Sequence, residues 1–436
     1  MRIRHWLLSG LFFATGALIC SSSLALSQLQ GGDQVTVLKC GRLIDGKSDE
    51  VRENVIVVVR GNKITTVGRD VSIPAGAKVL EFVNATVLPG LIDTHTHLFL
   101  HEGDYDEQLL KWSQAKRVIY ATNHAKKTLE AGFTTIRDVE TEGALYGDVA
   151  LRDAINAGIV PGPRMKTSTR AISITGGYAL YGYSPDITVP TGAQLIDGEA
   201  EARHAVREQI KYGADWIKIY IDSHRRRYLA DTLVGSPTFS DAELRAIMEE
   251  AGNMGVRVCA HAYTSQAAQR AVRAGVRSIE HGLYLNDETF KLMAQNNVYW
   301  IPTLLAYVLS EKEASSPERK RILRNTVERH RETFQRALKT GVKIAFGVDL
   351  VGDHGTNAKE FELMVKYGMA PMKAIQSATS VAAELLEMQD QVGSIEPGKL
   401  ADIIAVQSDP LKDITVLQRV GFVMKDGKIF KDEPPK

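Results

Sequence analysis

Residues 88–97 read Leu-Pro-Gly-Leu-Ile-Asp-Thr-His-Thr-His, an apolar approach followed by two histidines one residue apart. Side chains repeat every two residues along a β-strand, so His95 and His97 project from one face. Two imidazoles aimed at one point begin a metal site, although a lone His-x-His pair also arises by chance. The rest of a donor set stands downstream at further strand-like segments: Lys218 in Trp-Ile-Lys-Ile-Tyr, His261 in Cys-Ala-His-Ala-Tyr, His281 in Ile-Glu-His-Gly and Asp349 in Phe-Gly-Val-Asp.

Each of these residues has a plainer structural role available. A single strand-end histidine is more commonly a part-buried, hydrogen-bonded side chain than a ligand, and Asp349 could simply cap the segment that follows. Six of them at the ends of five strands is a different matter. Imidazole and carboxylate donors suit zinc or a similar divalent ion. The apolar neighbours of Lys218 predict its burial, and burial disfavours a charged lysine and leaves a nucleophilic amine. Such an amine can capture carbon dioxide as a carbamate whose two oxygens bridge two cations. Water between paired cations loses a proton near neutral pH. Asp349 would take that proton and pass it to a leaving nitrogen. The expected reaction is hydrolysis at a polarised carbonyl, with Asp349 and Tyr263 as catalytic residues. Tyr263, two residues beyond His261, would donate to the carbonyl oxygen as charge develops there.

These residues need a scaffold that gathers strand ends. From 87 to 348 short apolar runs alternate with stretches of helical period. The expected strands are 87–94, 134–139, 164–172, 216–221, 256–262, 277–280, 298–304 and 343–348. Ser240 followed by Glu243 marks a helix start, and Gly255 and Gly275 fall at helix ends. Eight strands alternating with helices predict an α/β chain with a (β/α)8 TIM-like barrel, whose catalytic residues sit at the C-terminal ends of the strands. No Gly-rich phosphate loop follows the first strand, which argues against a doubly wound sheet. Both flanks of the barrel read as β-structure, with a hairpin turn at Lys425-Asp-Gly-Lys428. The expected organisation is therefore a barrel over 88–386 and a small β-sandwich domain built from 28–87 and 387–436.

Composition excludes some partners. The 436 residues carry a formal net charge of +1, with 44% hydrophobic and 24% charged content, which gives no reason to expect nucleic acid or an anionic membrane. Arg2 and Arg4, the apolar run from Trp6 to Ile19 and small residues up to Ala25 predict a signal peptide over 1–27 and an exported, periplasmic or extracellular protein. The run is too short and interrupted for a stable membrane span. Cys20 raises lipidation, against which bulky Ile19 argues. Cys40 and Cys259 are then the remaining cysteines, both expected free.

Across these phrases, and in Gly-Ser-Ile-Glu-Pro-Gly-Lys-Leu-Ala-Asp402, nearly the whole mature chain resembles the amidohydrolase superfamily. It looks most like the branch with imidazolonepropionase-like proteins, Xaa-Pro dipeptidases (prolidase-like) and carboxypeptidases on dipeptides or N-acyl amino acids. The resemblance implies a binuclear site: His95, His97 and Asp349 on one Zn2+ or similar divalent metal, His261 and His281 on the other, and carboxylated Lys218 shared. Frequent oligomerisation among relatives implies a homo-oligomer. Many relatives carry His after the Gly-Gly of strand three, where this chain has Tyr178, so substrate contacts transfer less safely than ligands. A free substrate carboxylate would call for a cation. Arg170 and Arg225–Arg227 are candidates, with Tyr178, Tyr228 and His354 as further substrate-binding candidates. Glu280 would orient a ligand or form a structural ion pair. The predicted activity is a metal-dependent dipeptidase or carboxypeptidase on Xaa-Pro-type or other dipeptides or N-acyl amino acids. The alternatives are opening of a hydantoin- or imidazolone-type ring, a deaminase, a metal carrier, or a non-catalytic scaffold.

Overall fold

The computed structural model describes residues 34–433 apart from 179, 224–226 and 230. Residues 1–27, expected from sequence to be a signal peptide, therefore lie outside the described residues. Among the described residues no helix is long and apolar enough to cross a membrane.

Four strands come first: β1 (Val35–Ile44), β2 (Val51–Arg60), β3 (Lys63–Gly68) and β4 (Lys78–Pro89). The barrel region follows with β5 (Leu91–Thr96), β6 (Phe133–Asp138), β7 (Arg164–Thr167), β8 (Ile172–Ser173) and β9 (Gln194–Leu195). It continues through β10 (Trp216–Tyr220), the short hairpin β11 (Arg227–Leu229) and β12 (Thr232–Val234), then β13 (Arg257–Thr264), β14 (Ser278–Tyr284) and β15 (Tyr299–Ile301). The last strands are β16 (Ile403–Gln407), β17 (Val420–Lys425) and β18 (Lys428–Asp432).

Strands from both flanks form one seven-stranded sheet, ordered β18-β17-β16-β4-β1-β2-β3. It curls until β3 meets the segment before β16, where Lys63 bridges Leu400 and the Ile64 N–H donates to the Lys399 carbonyl at 2.9 Å. The two halves enclose an apolar filling of Leu38, Val57, Ile64, Phe82, Ile403 and Phe422, which makes a small sandwich. At the hairpin turn Asp426 and Gly427 have φ of 50° and 73°, the conformation a two-residue turn demands.

Parallel ladders join β5-β6-β7 and β8-β10-β13-β14-β15, with helices between successive strands. Asp215 N–H to the Thr167 carbonyl (2.8 Å) links the two groups on one side, and the chain around Ile344–Phe346 joins β15 to β5 on the other, so the strands close into a barrel. Ser240 and Glu243 form the expected reciprocal cap, and Gly275 ends its helix at φ 99°. At the barrel's N-terminal end Ile92, Trp216, Cys259, Tyr299 and Ala345 pack on Leu385 and Leu386. Both cysteines among the described residues are free and buried, and burial pushes their thiols up to about 12 (Cys40) and about 11 (Cys259).

Four expected strands differ, and the simplest case is 298–304, which stops at Ile301 before left-handed Thr303 and a helix that begins at Leu304. The segment 87–94 divides at Gly90 between the sandwich sheet and the barrel; a β-carbon there would collide with Thr134. The segment 164–172 breaks after Thr167, where Thr169 has φ 55° and its N–H is taken by the Asp148 carboxylate at 2.8 Å. The segment 343–348 occupies the eighth place as irregular chain with a single bridge, Trp300 to Ile344. Its backbone is claimed piecemeal, since the Phe346 carbonyl accepts from Thr94 N–H (3.0 Å) and Phe346 N–H donates to the Ser377 carbonyl (3.0 Å).

Candidate active site

The ends of β5, β10, β13 and β14 and the segment after Val348 open on one cavity of ≈ 690 Å³. Its lining includes His97, Lys218, His261, His281, Asp349 and Tyr263. His95 stands fully buried behind them, its ring 5.3 Å from that of His97 and 4.9 Å from that of His281. The His261 and His281 rings are 4.6 Å apart. Donor atoms of His95, His281 and Asp349 all lie within 4.8 Å of one another. The side chains nominated from sequence as ligands thus meet at one floor.

Local structure fixes each ring. His95 Nδ1 lies 2.6 Å from Glu280 Oε2, which turns Nε2 toward Asp349 Oδ1 at 3.6 Å. Glu280 is itself held by Arg137 Nη2 (2.8 Å) and Ser278 Oγ (2.6 Å), all fully buried. Glu280 therefore both orients a ligand and forms an ion pair. His97 faces the Glu140 carbonyl through Nδ1 (3.2 Å) and Asp349 Oδ1 through Nε2 (3.2 Å). His281 Nδ1 lies 2.9 Å from Thr303 Oγ1. Asp349 N–H donates to the His95 carbonyl at 2.9 Å. His281, Thr303 and Asp349 all have left-handed backbones, with φ of 69°, 50° and 60°. Strain of that kind persists only where its surroundings enforce it, and it gathers at functional sites.

The electrostatics keep His95 and His281 as neutral, ligand-ready imidazoles. Burial, reinforced by the Lys218 charge, lowers His95 to about 4, and burial with the neighbouring histidines holds His281 well below its ordinary value. Burial works the same way on His97, but its bond to the Asp349 carboxylate outweighs that and raises it to about 9. Burial would raise Asp349; His97, His95 and Lys218 together hold it below the usual carboxylate range. Two observations fit bound divalent metal. His95 Nε2 is buried with no hydrogen-bond partner, a costly arrangement for an imidazole without an electrophile to face. Lys218 is buried at the cavity floor, and among the described residues no hydrogen bond or ion pair reaches its Nζ.

The substrate candidates fare unevenly. Tyr178 lines the cavity, as does Tyr263, whose ring lies 4.4 Å from that of His261. Arg170 is a correction: the left-handed turn at Thr169 sends it out beside Tyr146, away from the cavity lining. His354 is another. It is buried, stacked on His124 with centroids 4.4 Å apart, and does not line the cavity. Arg225 and Arg226 lie outside the described residues, as do the side chains of Arg227 and Tyr228. Sequence reasoning missed many of the lining residues, among them Tyr105, Glu142, Tyr307 and Arg319. Glu142 could have been found, because it follows the end of β6 where barrel catalytic residues gather.

Comparison with known proteins agrees with this geometry. The chain is 30% identical over 432 residues to ochratoxinase of Aspergillus niger, covering 91% of this chain and 87% of that protein. It is 25% identical over 422 residues to imidazolonepropionase of Porphyromonas gingivalis, covering 91% and 94%. Among solved structures, a Xaa-Pro dipeptidase with methionine bound in its active site superposes with a TM-score of 0.83 at 38% identity, covering 91% of this chain and all of that one. A prolidase complexed with N-methylphosphonate-L-proline gives a TM-score of 0.83 at 32% identity, covering 92% and 100%. The amidohydrolase family profile matches residues 86–430. With its barrel, its added sheet and its cluster of strand-end donors, this chain belongs to the amidohydrolase family and is a hydrolase of amide bonds.

Proposed function

We propose that the protein is a binuclear, zinc-type dipeptidase or carboxypeptidase acting on dipeptides, Xaa-Pro types among them, or on N-acyl amino acids. The observation that carries this reading is the convergence of His95, His97, Lys218, His261, His281 and Asp349 on one cavity floor. His95, His97 and Asp349 would hold one divalent ion and His261 and His281 the other, with Lys218, as a carbamate, shared. When bound, such ions polarise the scissile carbonyl and lower the pKa of water from about 15.7 toward 7.

The chain's own groups do the rest. Asp349 is ionised at neutral pH and one-fifth exposed to the cavity, so it can take the proton from attacking water and deliver it to the leaving nitrogen. Tyr263 can donate its hydroxyl proton toward the carbonyl oxygen as negative charge grows there. Away from Lys218, the cavity wall also carries Arg319, which no ion pair among the described residues engages, and it suits a substrate α-carboxylate. The N-terminal basic-apolar-small pattern supports export and a role on scavenged peptides.

A panel of dipeptides and their C-terminal amides, assayed with zinc-loaded protein, tests the reading. Free-acid dipeptides should turn over faster, and Arg319→Met should raise KM for them by about tenfold while sparing the amides. Equal turnover of acids and amides rules out carboxylate recognition, and no turnover of either overturns the peptidase assignment. The likeness to imidazolonepropionase favours one other reading, opening of a cyclic amide, which hydantoin and imidazolone substrates in the same assay would reveal.

A further inference from the structure

Just past the end of β6 the chain sets Glu142 in the cavity wall with its side chain only 5% exposed. Its backbone is left-handed at φ 51°, a conformation that costs a non-glycine residue roughly 1 kcal/mol or more. Oε2 accepts from the Tyr105 hydroxyl at 2.7 Å and from the Tyr178 hydroxyl, and those two hydroxyls lie 2.9 Å apart. Oε1 receives no hydrogen bond from any described residue. Its ion-pair neighbour among the described residues is His97 Nδ1, 3.9 Å away, and that atom already faces the Glu140 carbonyl. Orienting His97 therefore does not require this carboxylate.

Beyond His97, no arginine or lysine among the described residues hydrogen-bonds or ion-pairs with the carboxylate. Arg117 spends its Nη2 on the carbonyls of Phe99, Thr141 and Glu142, not on the Glu142 carboxylate. The cluster is boxed in from behind by Gly192, where a β-carbon would come within 2.8 Å of Glu142 Oε2 and 2.7 Å of Tyr178 Cε1. A desolvated carboxylate in the cavity lining, with one acceptor oxygen free of hydrogen bonds from described residues and with tyrosine rings beside it, matches a primary ammonium through charge-assisted hydrogen bonding and cation–π attraction. In a dipeptide the α-nitrogen sits about 2.5 Å from the scissile carbonyl carbon. A group that reads it must therefore border the ligand cluster, as Glu142 does at His97.

We infer that Glu142, held by Tyr105 and Tyr178, receives the free α-ammonium of the substrate, so that the site selects unblocked dipeptides over N-acyl amino acids. The inference rests on the peptidase reading above and decides between its two substrate classes. The experiment compares an alanyl dipeptide with its propionyl counterpart, which differs only in lacking the amino group, using zinc-loaded full-length protein. Wild type should favour the alanyl substrate in kcat/KM by about 10- to 100-fold. Glu142→Gln should remove most of that preference, lowering kcat/KM for the alanyl substrate far more than for the propionyl one, at wild-type metal content. Equal wild-type rates, or an equal loss on both substrates in Glu142→Gln, overturns the assignment. Calorimetric titration with L-alaninamide and propionamide reads the same recognition without turnover. There, tighter binding of L-alaninamide that depends on Glu142 supports the inference even if the peptidase reading fails, and equal affinity sinks it.

Discussion

Arg137→Leu is the most informative single change, because it touches no candidate ligand and yet acts on one through a single intermediary. The guanidinium is fully buried and donates from Nε to the Thr94 carbonyl (2.7 Å), from Nη1 to Ser278 Oγ (3.2 Å) and from Nη2 to Glu280 Oε1 (2.8 Å). Its carbon centre also lies 4.6 Å from the Trp216 ring. Burial alone would raise the Glu280 carboxyl; Arg137, then His95 and Lys218, hold it well below its ordinary range. Removing one member of such a pair strands the other in a desolvated site and costs about 3–5 kcal/mol. Urea denaturation should show that loss as a lower midpoint at unchanged slope.

The pH dependence has a definite sign. In the wild type Glu280 stabilises the fold above its unfolded value near 4.5 and loses that contribution as pH falls below it. In Arg137→Leu the folded carboxyl rises above the unfolded value, so its penalty grows as pH increases through that window. Replacing both partners, as Arg137→Leu with Glu280→Leu, should recover a large part of the lost stability in a double-mutant cycle. A single variant that loses under about 1 kcal/mol, or a double variant whose losses simply add, would refute the reasoning.

Three further outcomes follow from the same geometry. Lys218→Ala should lose divalent-metal occupancy, measured by elemental analysis, together with activity, and short-chain carboxylates that mimic a carbamate should restore part of both. Asp349→Asn should keep its circular-dichroism spectrum but turn over roughly 10²–10⁴-fold more slowly, and near-normal kcat would rule out its proton-transfer role. At Gly347 a β-carbon would meet Ile301 Cγ2 at 2.5 Å and His95 Cβ at 2.8 Å, so Gly347→Ala should lower the unfolding free energy by about 1–3 kcal/mol and weaken metal retention.

The donors were legible in the sequence because strand periodicity and the strand-end rule are local statements. His95 and His97 share a face whatever surrounds them, and His261 and Tyr263 repeat that spacing on β13. The barrel was legible from alternation alone. What escaped depends on contacts distant in sequence. Arg170 looked well placed until a left-handed residue at Thr169 turned the chain away, and nothing in Thr-Ser-Thr-Arg announces that turn. Arg319 reads as a solvated helix residue and reaches the cavity only because its helix, Pro317–Ala337, packs near the mouth. Segment 343–348 has a strand's composition, but its hydrogen bonds go to Thr94, Trp300 and Ser377 one at a time. His354 was nominated for proximity in sequence to Asp349, and stacking on His124 draws it behind the site.

The strand that delivers His95 is the direct continuation of β4, and β4 is flanked by β1 on one side and β16 on the other, with Pro89 opposite Ile403. Its second neighbour is thus synthesised more than three hundred residues after it. Arg164, at the start of β7, likewise waits for Asp402 and Asp426 at 2.7 and 2.6 Å. While the ribosome works through the intervening stretch at about 5–20 residues per second, the nascent chain carries an open, apolar β-edge next to its future reaction centre. Termination products that stop short of residue 403 would keep that edge permanently, which makes them the species a cell must shield or degrade.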